Sequence, residues 1–139
     1  MAKKIQDVMT RSPRVLDASA SVEEAAQLME RDEIGDVIVS MDGKVWGILT
    51  DRDVTIRVTA HAIDPTTATV GDICSGEVVT MNPTDPVDEA VRLMREKAIR
   101  RIPIVEDGKP VGIVTLGDLA LMKDRDSALA DVSAAPANH

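Results

Sequence analysis

Two corners of the chain carry residue types that could do chemistry. In Gly47-Ile48-Leu49-Thr50-Asp51-Arg52-Asp53 and in Gly112-Ile113-Val114-Thr115-Leu116-Gly117-Asp118, an apolar run ends at a Thr, and an Asp follows three residues on. A strand that gives way to a helix there exposes free backbone N–H groups and the positive end of the helix dipole. A Thr hydroxyl at that point can bond a ribose or a phosphate. An Asp in the first helical turn can accept both hydroxyls of a ribose, as an acidic residue does in dinucleotide-binding folds. The same spacing also describes a helix cap, with Thr as N-cap and Asp three residues on as its reciprocal partner. Both readings stay open from these residues alone.

Other chemistries find little material. The only histidines, His61 and His139, have no Cys or His near them at ligand spacing, and no nucleophile–base pair or phosphate-cradling glycine loop is visible. The single Cys74 reads as a small core or boundary residue. A net charge of −8 and one aromatic residue, Trp46, disfavour nucleic acid, which needs a basic face and stacking platforms. No apolar run approaches the roughly 18 residues of a membrane span, and none resembles a signal peptide, so a reducing cytoplasm is expected.

The elements that position the corners come in duplicate. Shifted by 65 residues, 7–53 match 72–118 without gaps at fourteen of 47 positions, where chance gives about three. Within the first copy, Ile5 to Thr10 opens with a short helical turn and Val15-Leu16 is extended. Ser21 and Glu24 form a capping box for a helix with Val22, Ala25, Ala26, Leu28 and Met29 on its apolar face, closed by Gly35 near Ile34. Asp36 to Ser40 and Lys44 to Leu49 read as a hairpin turning at Asp42-Gly43, and Thr50 caps a helix carrying Val54, Ile56 and Val58. In the second copy, Asp85 is expected to cap a helix from Val87 to Lys97. A hairpin at Asp107-Gly108 and a last helix from Thr115 follow. The expected class is α/β (α+β), two β-α-β-β-α repeats packed sheet to sheet about a pseudo-twofold axis. Its parts are a first repeat over 5–58, a connector over 59–69, a second repeat over 70–122 and a flexible tail over 123–139. Trp46 is expected to be buried in its sheet or at a subunit contact.

Unit length, duplication and corners together resemble the CBS domain pair, or Bateman module. The opening Val8-Met9-Thr10, the Ala-x-x-Leu-Met helix in both copies and Arg100-Arg101-Ile102-Pro103-Ile104-Val105 before the second hairpin fall in its register, and the resemblance covers about 5–122. Within the family the chain is similar to small stand-alone bacterial pairs, the actinobacterial hypoxic response proteins among them. The resemblance implies a regulatory module, not an enzyme, that binds AMP, ADP, ATP or S-adenosylmethionine and forms flat homodimers through its helices. It implies that Asp53 and Asp118 hold ribose hydroxyls with Thr50 and Thr115 alongside. Thr80, Ile102 and Pro103 would flank an adenine, and Arg101 would meet phosphates. No resident cofactor is expected, and from the histidine and cysteine spacing no metal.

The two pockets should differ, because Gly35-Asp36 stands where the second copy has Arg100-Arg101, and Asp36 repels a phosphate. The Asp118 pocket is the favoured site. The competing function is an interaction or dimerisation module of the same fold, with an unidentified protein partner, in which the corners serve as caps only.

Overall fold

The computed structural model describes residues 3–74, 76 and 78–123. Two three-stranded sheets carry the duplication. The first holds β2 (Val15–Asp17), β3 (Asp36–Met41) and β4 (Lys44–Thr50) in that order, with β2 parallel to β3 and β3 antiparallel to β4. The second has β1 (Thr10–Arg11), β6 (Lys109–Thr115) and β5 (Arg101–Glu106), all antiparallel. Helix α1 (Val22–Asp32) precedes the first hairpin and α4 (Val87–Lys97) the second. The expected mixed helix–strand class with tandem repeats is what the chain adopts.

Local chemistry explains the match between halves. Both hairpins turn on an Asp-Gly pair at positive φ, 55° and 79° in each, the backbone that a twisted two-residue hairpin requires and that Gly adopts without strain. Each hairpin also shifts register once, at Val39/Ser40 and at Ile104/Val105. Helices α1 and α4 both end on a left-handed residue, Glu33 and Ala98, at φ 53° and 54°. The expected stop at Gly35 therefore falls short: the chain leaves helix two residues sooner, and the cap N–H groups bond back into the last turn. At the start of α1, the Ser21 hydroxyl accepts from Glu24 N–H at 3.1 Å, one half of the expected reciprocal box. Asp85 does not cap α4. Its carboxylate takes Asn82 N–H at 2.9 Å, and Pro86 is the N-cap residue without a side-chain bond.

The helix after Thr50 begins as α2 (Asp51–Asp53), widens to a π-turn over Val54–Val58 and tightens over Thr59–His61, so helical backbone runs into the span expected as connector. A short α3 (Val70–Ile73) follows, capped by Thr69, and α5 is described over 116–123. The tail expected to be flexible lies, from 124 on, outside the described residues. Trp46 is not buried in its sheet: it is 43% exposed, with its indole N–H reaching the Gly71 carbonyl at 3.4 Å.

The two cores exchange their leading segments. Ile5, fully buried, packs with Met81, Val87, Ala90, Met94, Ile102, Ile104, Val114 and Leu119 of the second repeat. Its N–H bonds Asp85 O, Gln6 N–H bonds Pro83 O and Val87 N–H bonds Lys3 O, at 2.9, 2.9 and 3.0 Å. Correspondingly, Val70 and Cys74 lie in the first core with Ala25, Met29, Val37, Val39 and Leu49. The Val22 N–H reaches Ala68 O at 2.9 Å and Val70 N–H reaches Ala20 O at 2.8 Å. On the apolar helix faces, Val22, Ala25 and Met29 and likewise Val87, Ala90 and Met94 are buried core surface, whereas Ala26 and Val91 are exposed. Gly112 is needed where β1 crosses: a Cβ there would come within 2.5 Å of Met9 Sδ.

Two outcomes follow. Ile5→Ala should cost about 2–5 kcal/mol in urea unfolding, the loss of a central core residue despite its place near the N-terminus; a cost below about 1 kcal/mol would mean that the exchanged segment is not structural. Stability should also fall in acid. Hydrogen bonds from Ser19 hold the Asp17 carboxyl below its ordinary value, those from Thr66 do so for Asp64, and Arg14, then Arg31, for Asp32. A depressed folded-state value contributes stability that is complete above the unfolded carboxylate range and lost as pH falls through the folded value. Melting temperatures should therefore be level from about pH 7 to 5 and drop below about pH 4.

Candidate functional site

Each corner closes a reciprocal hydrogen-bonded ring. At the first, Asp53 N–H donates to Thr50 Oγ1 at 3.1 Å while Thr50 N–H donates to Asp53 Oδ2 at 2.9 Å. At the second, Asp118 N–H donates to Thr115 Oγ1 and Thr115 N–H to Asp118 Oδ2, both at 3.0 Å. The capping reading of the motif is therefore correct at both corners. Each corner is also tied to the opposing strand start, Asp51 N–H to Gly35 O at 3.0 Å and Leu116 N–H to Arg100 O at 2.8 Å.

The cap spends one carboxylate oxygen and leaves the other, and here the corners part. Asp53 Oδ1 lies 3.9 Å from Arg57 Nε, and Arg57 also donates to the Ile73 carbonyl at 2.8 Å. The end of α3 sits over this corner: the Cys74 thiol is pushed up by burial, with the Asp53 carboxylate adding to the effect. The position 65 residues beyond Arg57 is Met122, which has no charge to offer. Among the described residues, Asp118 Oδ1 has no hydrogen-bond or ion-pair partner.

Beside Thr115 and Asp118 opens a cleft of about 390 Å³, within the range of small-ligand sites. Three segments wall it: Thr10 to Arg14 at the start of the chain, Ile34 to Asp36 with Ile38 from the first repeat, and Ile113, Thr115 and Asp118 from the second. Ile38 and Ile113 are buried and supply an apolar surface; Arg11, Arg14, Asp36 and Asp118 supply charge. Arg14 is engaged with Asp32 at 2.6 Å and with the Ser12 carbonyl, and Arg11 donates to the Gln6 carbonyl at 3.3 Å.

The expected site residues are thus distributed. Thr115 and Asp118 share this cleft; Thr50 and Asp53 form the other corner. Arg101, expected to complete the Asp118 pocket, does not line it, and Asp36, expected to repel phosphate at the other corner, does, so the expected assignment of the two is reversed. Arg101 Nε donates instead to Asp36 Oδ2 at 2.6 Å, with side chains 33% and 20% exposed. Thr80 is exposed and Ile102 and Pro103 are buried in β5; none lines the Asp118 cleft. The wall at Thr10, Arg11, Pro13 and Arg14 is missing from the sequence reading. Only the exchange of leading segments places it there, and the signal for it is the Met-Thr opening with two arginines behind it. Among the described residues there is no group of three His, Cys, Asp or Glu able to hold a metal ion, and no helix is long and apolar enough to cross a membrane.

Comparison with known proteins agrees with this geometry. The CBS domain protein of Bacillus subtilis named YhcV is 38% identical over 133 residues, covering 93% of this chain and 94% of its own. The crystal structure of Hypoxic Response Protein I with two coordinated zinc ions superposes with a TM-score of 0.77 at 30% identity, covering 86% of this chain and 98% of that one. A hexameric CBS-CP12 protein from bloom-forming cyanobacteria does so at 0.79 and 28% identity, covering 99% and 78%. The family model described as CBS domain matches twice, over residues 5–59 and 70–122. The chain belongs to the CBS domain family and carries its domains as a tandem pair.

Proposed function

We propose that the chain is a non-catalytic regulatory module that binds an adenosyl ligand of the AMP, ADP and ATP class in the Asp118 cleft. The observation that carries the reading is the uncommitted oxygen of Asp118. The cap uses Oδ2 and leaves Oδ1 without a partner among the described residues, on a side chain that lines a cleft apolar at Ile38 and Ile113. A carboxylate oxygen and the Thr115 hydroxyl proton can receive a ribose, with the adenine against the isoleucines. Thr50 and Asp53 form a second, weaker corner, because Arg57 stands at Asp53 Oδ1 and α3 covers it. Arg101 and Pro103, the counterparts at the 65-residue offset of Asp36 and Ile38 in the Asp118 cleft, belong with that weaker site.

A second reading, self-association, has its own observation. Grooves of about 570 and 670 Å³ run beside α1 and α4 at equivalent places in the two repeats, and Val91, Leu116 and Leu121 are exposed at or near the second. A homodimer through these helices, in a cytoplasmic stress-response role, is compatible with them.

Thermal shift with AMP, ATP and S-adenosylmethionine tests the first reading: a ligand at 100 times its dissociation constant should stabilise by about 2.7 kcal/mol. No shift with any of them would favour the interaction reading. Because Asp118 is also a cap, Asp118→Ala should destabilise the ligand-free protein by about 1 kcal/mol as well as abolish the shift. Asp118→Asn, which can still accept Thr115 N–H, should keep more of the apo stability than Asp118→Ala and still lose the ligand shift. Retention of the full shift in Asp118→Asn would remove the ribose role from that carboxylate.

A further inference from the structure

The residues Asp36 and Arg101 occupy the same place in the two repeats, 65 positions apart, each as the first residue of its strand. In their own sheets Asp36 stands opposite Thr50 and Arg101 opposite Thr115. They therefore meet between the two corners, joined by the 2.6 Å bond across the two halves. Only Asp36 of the pair lines the Asp118 cleft.

We propose that Asp36 sets the charge selectivity of the Asp118 cleft, so that it accepts an adenosine bearing one phosphate and rejects di- and triphosphates. The inference rests on the adenosyl reading of that cleft. The charge count there is the argument. Asp36 and Asp118 present two carboxylates, and Arg11 and Arg14 two guanidiniums. Arg14 is ion-paired with Asp32, and Arg101, which holds the place of Asp36 in the other repeat, is ion-paired with Asp36 itself. Arg11 is the one lining guanidinium without a carboxylate partner among the described residues. One guanidinium matches one phosphate. The Asp36–Arg101 pair is neutral, so Asp36 acts by keeping Arg101 engaged: a second or third phosphate finds no further unpaired guanidinium lining the cleft.

Isothermal titration of the full chain with adenosine, AMP, ADP and ATP in magnesium-free buffer tests this. For the wild type, affinity should peak at AMP and fall with each phosphate beyond it. In Asp36→Asn the ATP-to-AMP affinity ratio should rise about tenfold, through a released Arg101. Adding Arg101→Gln to Asp36→Asn should take back part of that gain. A wild type that prefers ATP to AMP overturns the proposal, as does an Asp36→Asn ratio equal to the wild-type one; either result leaves the adenosyl reading standing. Failure of all four compounds to bind overturns the adenosyl reading and this one with it. Should Asp36→Asn alone not fold, Asp36→Asn with Arg101→Lys, which keeps a cation beside the cleft, carries the same comparison: an ATP-to-AMP ratio equal to the wild-type one overturns the proposal.

Discussion

Neither half of this molecule can close its own core, and that constraint organises everything else. A unit of about 50 residues buries a small share of its surface and is marginal alone. Here the shortfall is met by exchange: Ile5 seals the second core and Val70 the first. Burying an isoleucine side chain contributes about 1.5–3 kcal/mol, a sizeable share of a small domain's net stability. Because the exchanged segments also carry backbone hydrogen bonds, such as Ile5 N–H to Asp85 O and Val70 N–H to Ala20 O, the two repeats are bound into one folding unit. The functional consequence is direct. The segment that crosses to seal the second core continues as β1 onto β6, and its next residues become the wall of the Asp118 cleft.

Duplication then makes two corners, and small departures from the repeat make them unequal. The backbone at the two corners is superposable in its hydrogen bonding: the same reciprocal caps, the same anchor to the opposing strand start. What differs is side chains at positions the repeat leaves free. Arg57 faces Asp53 whereas Met122 stands at the matching place near Asp118. Asp36 faces Arg101. The exposed 3.9 Å contact of Arg57 contributes little to stability, in line with surface ion pairs generally. Its effect is on availability, since it occupies the oxygen that its counterpart leaves open.

The fold was legible in the sequence wherever the information was local. Asp42-Gly43 and Asp107-Gly108 dictate their hairpins because the turn needs positive φ at both positions, and the Val22 and Val87 helices follow from apolar spacing. The repeat offset of 65 located both corners. Less local facts were out of reach. The exchange of Ile5 and Val70 depends on which core each segment enters, and hydrophobic pattern is the same for either choice. Trp46 reads as buried by its type, yet the indole lies over Gly71 at the surface, a packing outcome that no period in β4 reports. In the candidate site, Thr115 and Asp118 are readable from spacing, whereas the bond between Asp36 and Arg101 is not: by position each reads as facing ligand in its own pocket, and only the packing of one repeat on the other lets them find each other.

Capping and ligand recognition need not compete at such a corner, because they draw on different atoms. The cap is a demand of the backbone: a helix N-terminus has N–H groups that want acceptors, and one oxygen of each partner meets it. That bond fixes the carboxylate plane, so the second oxygen is held in a set direction before any ligand arrives. A carboxylate free to rotate would lose that freedom on binding, at a cost in side-chain entropy. The cap at Asp118 has already met that cost in folding. The feature that looks most purely structural is thereby what prepares the site, and the same logic explains why an added cation at Asp53 matters: it leaves the fold of the corner intact and removes only the oxygen that was prepared.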